Sequence, residues 1–242
     1  MENFYLDIGN TFYKMALYKN GEWSIIADGR INHAEELKSK MEVITSRDQL
    51  IISSVRKDIL VFLKSIVLAE SFIVIENKDV PSHRMDYKTP DTLGVDRFLV
   101  ANAAFQESGK SVIVIDAGSA ITIDLMNEQG VFMGGVILPG VRIQKQTVRD
   151  HLPELPEIGS MVPADWPGKS SKECLEWGII GGLQFTINGF INRYLSTNNN
   201  ADLYVTGGDS ELFKKLIHSD IEFRWRKYLL FDGMRVFAES SK

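Results

Sequence analysis

A chain of 242 residues, 44% hydrophobic and 24% charged, is long enough for one large domain or two of modest size and has the balance of a globular protein. Its net charge of -5 and pI near 5.5 argue against nucleic acid as the main partner, and no apolar run approaches the ~20 residues that span a bilayer. Cys174 is the single cysteine, so no intrachain disulfide can form, and His33, His83, His151 and His218 share no metal-ligand spacing. Glu2 and Asp7 bracket the first apolar residues, unlike the basic-then-apolar order of a signal peptide, and the expected location is cytoplasmic.

In chain order, alternating apolar and aromatic runs predict strands at 4–8, 12–18 and 23–27. Asn20-Gly21 supplies the two positive-φ residues of a type I′ hairpin. Helical patterning follows at 34–41, a strand at 49–53, a helix at 58–68 and a strand at 72–76. An alanine-rich helix comes next, with Asp96 and Arg97 in its first turn and Asp91 or Thr92 as its expected cap.

The β-branched run 112–115 then leads into "DAGSAITID", where Asp116-Ala117-Gly118-Ser119 echoes Asp7-Ile8-Gly9-Asn10. Gly21 and Gly130 each follow their aspartate by fourteen residues, so both copies read strand, Asp-x-Gly turn, strand, glycine turn, strand. A repeat distance of more than a hundred residues points to two related halves, not a short-period solenoid. The expected domains are 1–109 and 110–242, divided near 107–110. A long glycine-bearing helix is expected at 172–195, with Cys174 as a packing residue in it. A strand at 203–206 ends in Gly207-Gly208, and a helix at 210–217 and a strand at 221–225 follow.

An Asp-x-Gly turn between strands lets backbone approach a ligand closely and turns successive N–H groups toward an anion, while the carboxylate can hold a hydrated cation. Two such turns can grip a polyphosphate and its metal, and Asn10, Thr11 and Lys14 add polar contacts and a charge. With Thr206-Gly207-Gly208 as a nucleoside loop, this order of motifs resembles the acetate and sugar kinase, heat-shock 70 and actin superfamily. That resemblance implies an α/β fold of two related actin-like (ribonuclease H-like) domains. Each would be a mixed central sheet flanked by helices, with the active site in the cleft between them.

"YKTPDTLGVDR" narrows the choice, because Tyr-x-x-Pro-x-x-x-Gly-x-Asp-Arg matches the substrate motif of the type III pantothenate kinases. "DIGNTFYK" and "DAGSAITID" are similar to that family's two phosphate motifs. "GGVILPG" and "SSKECLEWGIIGG" resemble its later conserved stretches. The chain has Ser119 where the family usually has Thr, Ser170-Ser171 for Asn-Thr, and no proline after Ser54-Val55. The resemblance implies ATP-dependent phosphorylation of pantothenate, the entry to coenzyme A synthesis, with Mg²⁺ and a monovalent cation (K⁺ or NH₄⁺), in a homodimer. Asp96 would be the catalytic base, and Tyr87, Gly94, Val95, Asp96, Arg97 and Ser171 would bind pantothenate. Asp7, Ile8, Gly9, Asn10, Thr11, Phe12, Tyr13, Lys14 and Ser119 would bind ATP. Asp116 would hold the monovalent cation and Asp7 the Mg²⁺. Three rival expectations are a superfamily kinase with another small acceptor, a non-catalytic accessory or regulatory relative, and an actin-type structural protein.

Overall fold

The computed structural model describes residues 2–31, 34–67, 71–198 and 200–240; His33 and the last residue of the expected helix 58–68 lie outside them. Two compact units emerge. One holds the residues up to Glu107, Gly130–Phe132 and the chain from Tyr228; the other holds Ser108–Gln129 and Met133–Lys227.

The first unit is built on strands β1 (Asn3–Ile8), β2 (Phe12–Lys19), β3 (Glu22–Arg30), β4 (Gln49–Ser54) and β5 (Ser71–Ile75), in the order β3-β2-β1-β4-β5. The first three are antiparallel neighbours, and β4 and β5 join in parallel. Asn20 and Gly21 take φ of 54° and 85°, as a type I′ hairpin needs. The pleat sends Phe4, Leu6, Ile8, Leu50 and Ile52 into one core. Met41 of helix α1 (Lys38–Met41) and Ile59 and Leu63 of α2 (Lys57–Ile66) share it. Tyr5 alternates to the opposite face, where its ring meets Trp23 edge-on at 5.0 Å.

On that second face a later helix, α8, packs on β1, β4 and β5 and meets helix α3 (Val95–Ser108). It spans Leu229–Ser240, and its Asp232 accepts the Trp23 indole N–H at 2.8 Å. Where α8 meets α3, a side chain at Gly233 would run into the Leu99 carbonyl, so only glycine permits this approach. The expected caps Asp91 and Thr92 fall instead in a 3-10 turn (Pro90–Thr92), and α3 starts at Val95. Proline at the first position and the Thr92 hydroxyl, which donates to the Thr89 carbonyl at 2.8 Å, favour that separate turn.

The second unit repeats the plan. Its strands are β6 (Val112–Ala117), β7 (Ala120–Met126), β8 (Phe132–Pro139), β9 (Asp202–Thr206) and β10 (Arg224–Trp225), in the order β8-β7-β6-β9-β10. Matching β6 to β1 and onward, the order is identical to that of the first sheet. Gly130 takes φ 71°, as does its counterpart Gly21 in sign. The Ile113, Ile115, Ile121, Ile123, Leu203 and Val205 face is covered by Leu183, Ile187 and Ile191 of α6 and by Phe213 and Leu216 of α7. These two helices are Gly182–Thr197 and Ser210–Leu216. Asn188 ties them: its amide donates to the Leu216 carbonyl at 2.8 Å and accepts the His218 N–H at 2.9 Å.

The expected helix 172–195 is split into α5 (Ser171–Glu176), a π-helical turn (Trp177–Gly181) and α6. The Trp177 ring lies so close to Gly181 that a Cβ there would collide with it. Only Arg224–Trp225 of the expected strand 221–225 pairs, in parallel with β9. Helix α4 (Val141–His151) was not among the predicted elements, and neither was α8. Among the described residues no helix is long and apolar enough to cross a membrane.

Candidate active site

In the first unit the β1–β2 turn is closed by the Gly9 N–H, which donates to the Phe12 carbonyl at 2.9 Å. Asp7 stands directly across the antiparallel ladder from Lys14 and beside Ser53 of β4. A carboxylate and an ammonium directly opposed in this way lie on one face of the sheet. Ile8 and Tyr13 are buried, so only their backbones are available to a ligand. Asn10 and Phe12 are exposed, and Gly9, Thr11 and Lys14 are half-buried at the turn. The Arg30 guanidinium lies over the Phe12 ring at 5.7 Å.

The second unit builds the equivalent turn. The Gly118 N–H donates to the Ala120 carbonyl at 3.0 Å, and Asp116 stands across from Thr122 and beside Thr206 of β9. Asp116 and Asp7 thus hold the same position in the two sheets, next to the parallel neighbour. Gly207, with φ 94°, follows β9 and brings its backbone against the Asp116 carboxylate. The Gly140 N–H donates to the Ser119 carbonyl at 2.9 Å, which sets the start of α4 on this turn.

Around the substrate motif, Asp96 lies in the first turn of α3 and its Oδ1 accepts the Arg97 N–H at 3.0 Å. A Cβ on Gly94 would strike that same oxygen, which explains the glycine two residues earlier. Val95 is buried and presents only backbone. Arg97 is 7% exposed, an unusual state for a guanidinium. Its guanidinium carbon lies 6.0 Å from the Tyr87 ring centre and 5.7 Å from that of Phe132, and the two rings are 6.1 Å apart. A guanidinium is attracted to aromatic faces at such distances, so the two rings favour its place here. Phe132, which the sequence reading did not single out, lies beside Arg97; its only signal is its place just after the Gly130 turn.

The Ser170 hydroxyl caps α5, accepting the Glu173 N–H at 3.2 Å, and Ser171 is the exposed first residue of that helix. Cys174, expected to pack, is exposed because α5 is short and lies at the surface; its thiol donates to the Gly168 carbonyl at 3.4 Å. Among the described residues no group of three or more His, Cys, Asp or Glu side chains is assembled for a metal. The donors at both Asp-x-Gly turns are oxygens, the chemistry of hard cations such as Mg²⁺ and K⁺.

Comparison with known proteins bears on the fold and the family. A solved structure from Campylobacter jejuni, described as a Baf family transcriptional activator, superposes with a TM-score of 0.68 at 23% identity over 98% of both chains. An archaeal actin homologue superposes with a TM-score of 0.51 at 12% identity, over 99% of this chain and 100% of that one. At such identities the match shows the fold alone, that of two actin-like domains. The type III pantothenate kinase of Flavobacterium johnsoniae is 30% identical over 225 residues, 89% of each chain. That of Christiangramia forsetii is 29% identical over 245 residues, 99% of each. A family model for type III pantothenate kinase matches residues 3–193, most of the length, and the chain belongs to that family.

Proposed function

We propose a division of labour among these residues for the family's reaction, the ATP-dependent phosphorylation of pantothenate that begins coenzyme A biosynthesis. Phosphoryl transfer has a loose transition state, so catalysis is mainly positioning and charge stabilisation. Asp96 orients the primary hydroxyl of pantothenate and takes its proton late in the transfer; a carboxylate is a weak base but suffices for that task. Arg97 forks onto the pantothenate carboxylate, a geometry lysine cannot copy. Tyr87 and Ser171 supply neutral hydrogen bonds, and the Gly94 and Val95 backbone lines the same end of the substrate.

The first-unit turn binds ATP through the backbone of Ile8, Gly9 and Tyr13 and through Asn10, Thr11, Phe12 and Lys14. Ser119 reaches a phosphate oxygen from the second-unit turn. Asp7 would hold Mg²⁺ and Asp116 a potassium or ammonium ion, and cations there would offset the charge repulsion of the phosphates. Residues 1–109 carry the pantothenate and first phosphate motifs and 110–242 the second, in a cytoplasmic homodimer.

The observation that carries this reading is the burial of Arg97 between Tyr87 and Phe132, one residue from Asp96. A buried guanidinium held by rings suits a planar anion that must be read in one orientation. Calorimetric titration of pantothenate against a pantothenamide, which lacks the carboxylate, tests it. Weaker binding of the pantothenamide is expected, and equal binding of the two removes Arg97 from the carboxylate.

A further inference from the structure

The two phosphate turns share topology but not charge. In the first unit Lys14 stands across from Asp7, whereas in the second the position across from Asp116 is Thr122. A cation is nevertheless present at the second turn. Arg142, from the first turn of α4, places its Nη2 3.5 Å from the Ser119 hydroxyl oxygen. The approach is enforced by the backbone, because a side chain at Gly140 would strike the carbonyl oxygens of Gly118 and Ser119.

Arg142 stands in the first turn of α4, where the partial positive charge of the helix end adds to its own, and both would draw an anion to the Ser119 turn. Asp209, whose N–H donates to the Ala117 carbonyl at 2.8 Å, faces Arg142 and Lys145. Burial is the leading cause that raises its carboxyl pKa, against the pull of those two cations. Lys145 is engaged elsewhere, donating to the Ser160 hydroxyl at 2.7 Å.

We propose that Arg142 is a phosphate-binding residue of the nucleotide site, supplying at the second turn the charge that Lys14 supplies at the first. The proposal rests on the assignment of Ser119 to ATP. It makes the triphosphate, not the nucleoside, the part of the ligand that Arg142 reads.

The test is calorimetric titration of Mg-ATP and of AMP into the full chain in potassium buffer, for wild type, Arg142→Gln, Arg142→Lys and Arg149→Gln. Arg149 lies two turns along α4, pairs with Glu157 at 3.2 Å and serves as the control. Arg142→Gln is expected to weaken ATP roughly 10- to 100-fold, the size of a lost charge-assisted hydrogen bond, while AMP binding and the KM for pantothenate hold. Arg142→Lys keeps the charge and should fall between, which keeps the test open if the Gln variant folds poorly. Unchanged ATP affinity in both Arg142 variants, or an equal loss of ATP and AMP, would show that Arg142 only supports the fold. Failure of the wild type to bind ATP would instead remove the nucleotide assignment on which the proposal rests.

Discussion

Gly207 presses its backbone on the side chain of Asp116: a Cβ there would lie 2.5 Å from Oδ1 and would run into the Ala117 carbonyl. Its φ of 94° lies in the region that L side chains rarely adopt. Gly207→Ala must therefore displace Asp116, with a cost of about 1–3 kcal/mol from the backbone strain. The expected outcome is a lower melting temperature together with weaker activation by potassium, read by titrating the salt at fixed Mg-ATP. A variant that melts and responds to potassium like wild type would separate Asp116 from the cation.

Asp96→Asn keeps the size of the side chain and removes the proton acceptor. Turnover should fall by roughly 10²-fold or more, while nucleotide affinity changes little. Steady-state kinetics with varied ATP checks both, and near-normal turnover would take Asp96 out of the mechanism.

Arg97→Lys keeps the charge but loses both the fork and the stacking on Tyr87 and Phe132. The apparent affinity for pantothenate should drop about tenfold or more, with the KM for ATP unchanged. A parallel loss for both substrates would point to a collapse of the aromatic box instead.

Asp48 ties the starts of β1 and β4 together. Its carboxylate accepts the Thr45 hydroxyl at 2.6 Å and the backbone N–H groups of Glu2 at 2.8 Å and Thr45 at 3.0 Å. The Thr45 hydroxyl is the leading cause that lowers its pKa to about 2 from the ordinary 3.8. A depressed carboxyl contributes stability that is fully present above pH 3.8 and is lost as pH falls toward about 2. Asp48→Asn should therefore melt below wild type at neutral pH, and the gap should close over that acid window. A gap independent of pH would show that the charge is not what those donors stabilise.

The repeat was readable from residues because each half needs an aspartate at a strand end, a tight turn and a positive-φ glycine, and these are local demands. Asp7, Gly21, Asp116 and Gly130 all fall where that logic requires, and the two sheets share one strand order. The breaks in pattern have tertiary causes. Helix α3 starts at Val95 because the 3-10 turn ahead of it closes on itself, which Asp91 and Thr92 alone do not reveal. At the π-helical turn the Trp177 ring lies over Gly181; the helical pattern makes the two neighbours but does not reveal the widened turn between them. Helix α8 returns to the first sheet through Trp23, Asp232 and Phe231, pairings more than 200 residues apart. The sequence did not single out Phe132 or Arg142 because neither belongs to a motif; only folding brings the one to Arg97 and the other to Ser119.

The most direct measurement is ADP release by the purified chain with Mg-ATP and potassium, with and without pantothenate. One ADP should appear for each pantothenate supplied, accompanied by a phosphorylated product, with little release in its absence and poor release when sodium replaces potassium. ADP release that ignores pantothenate, or none when it is present, would contradict the account.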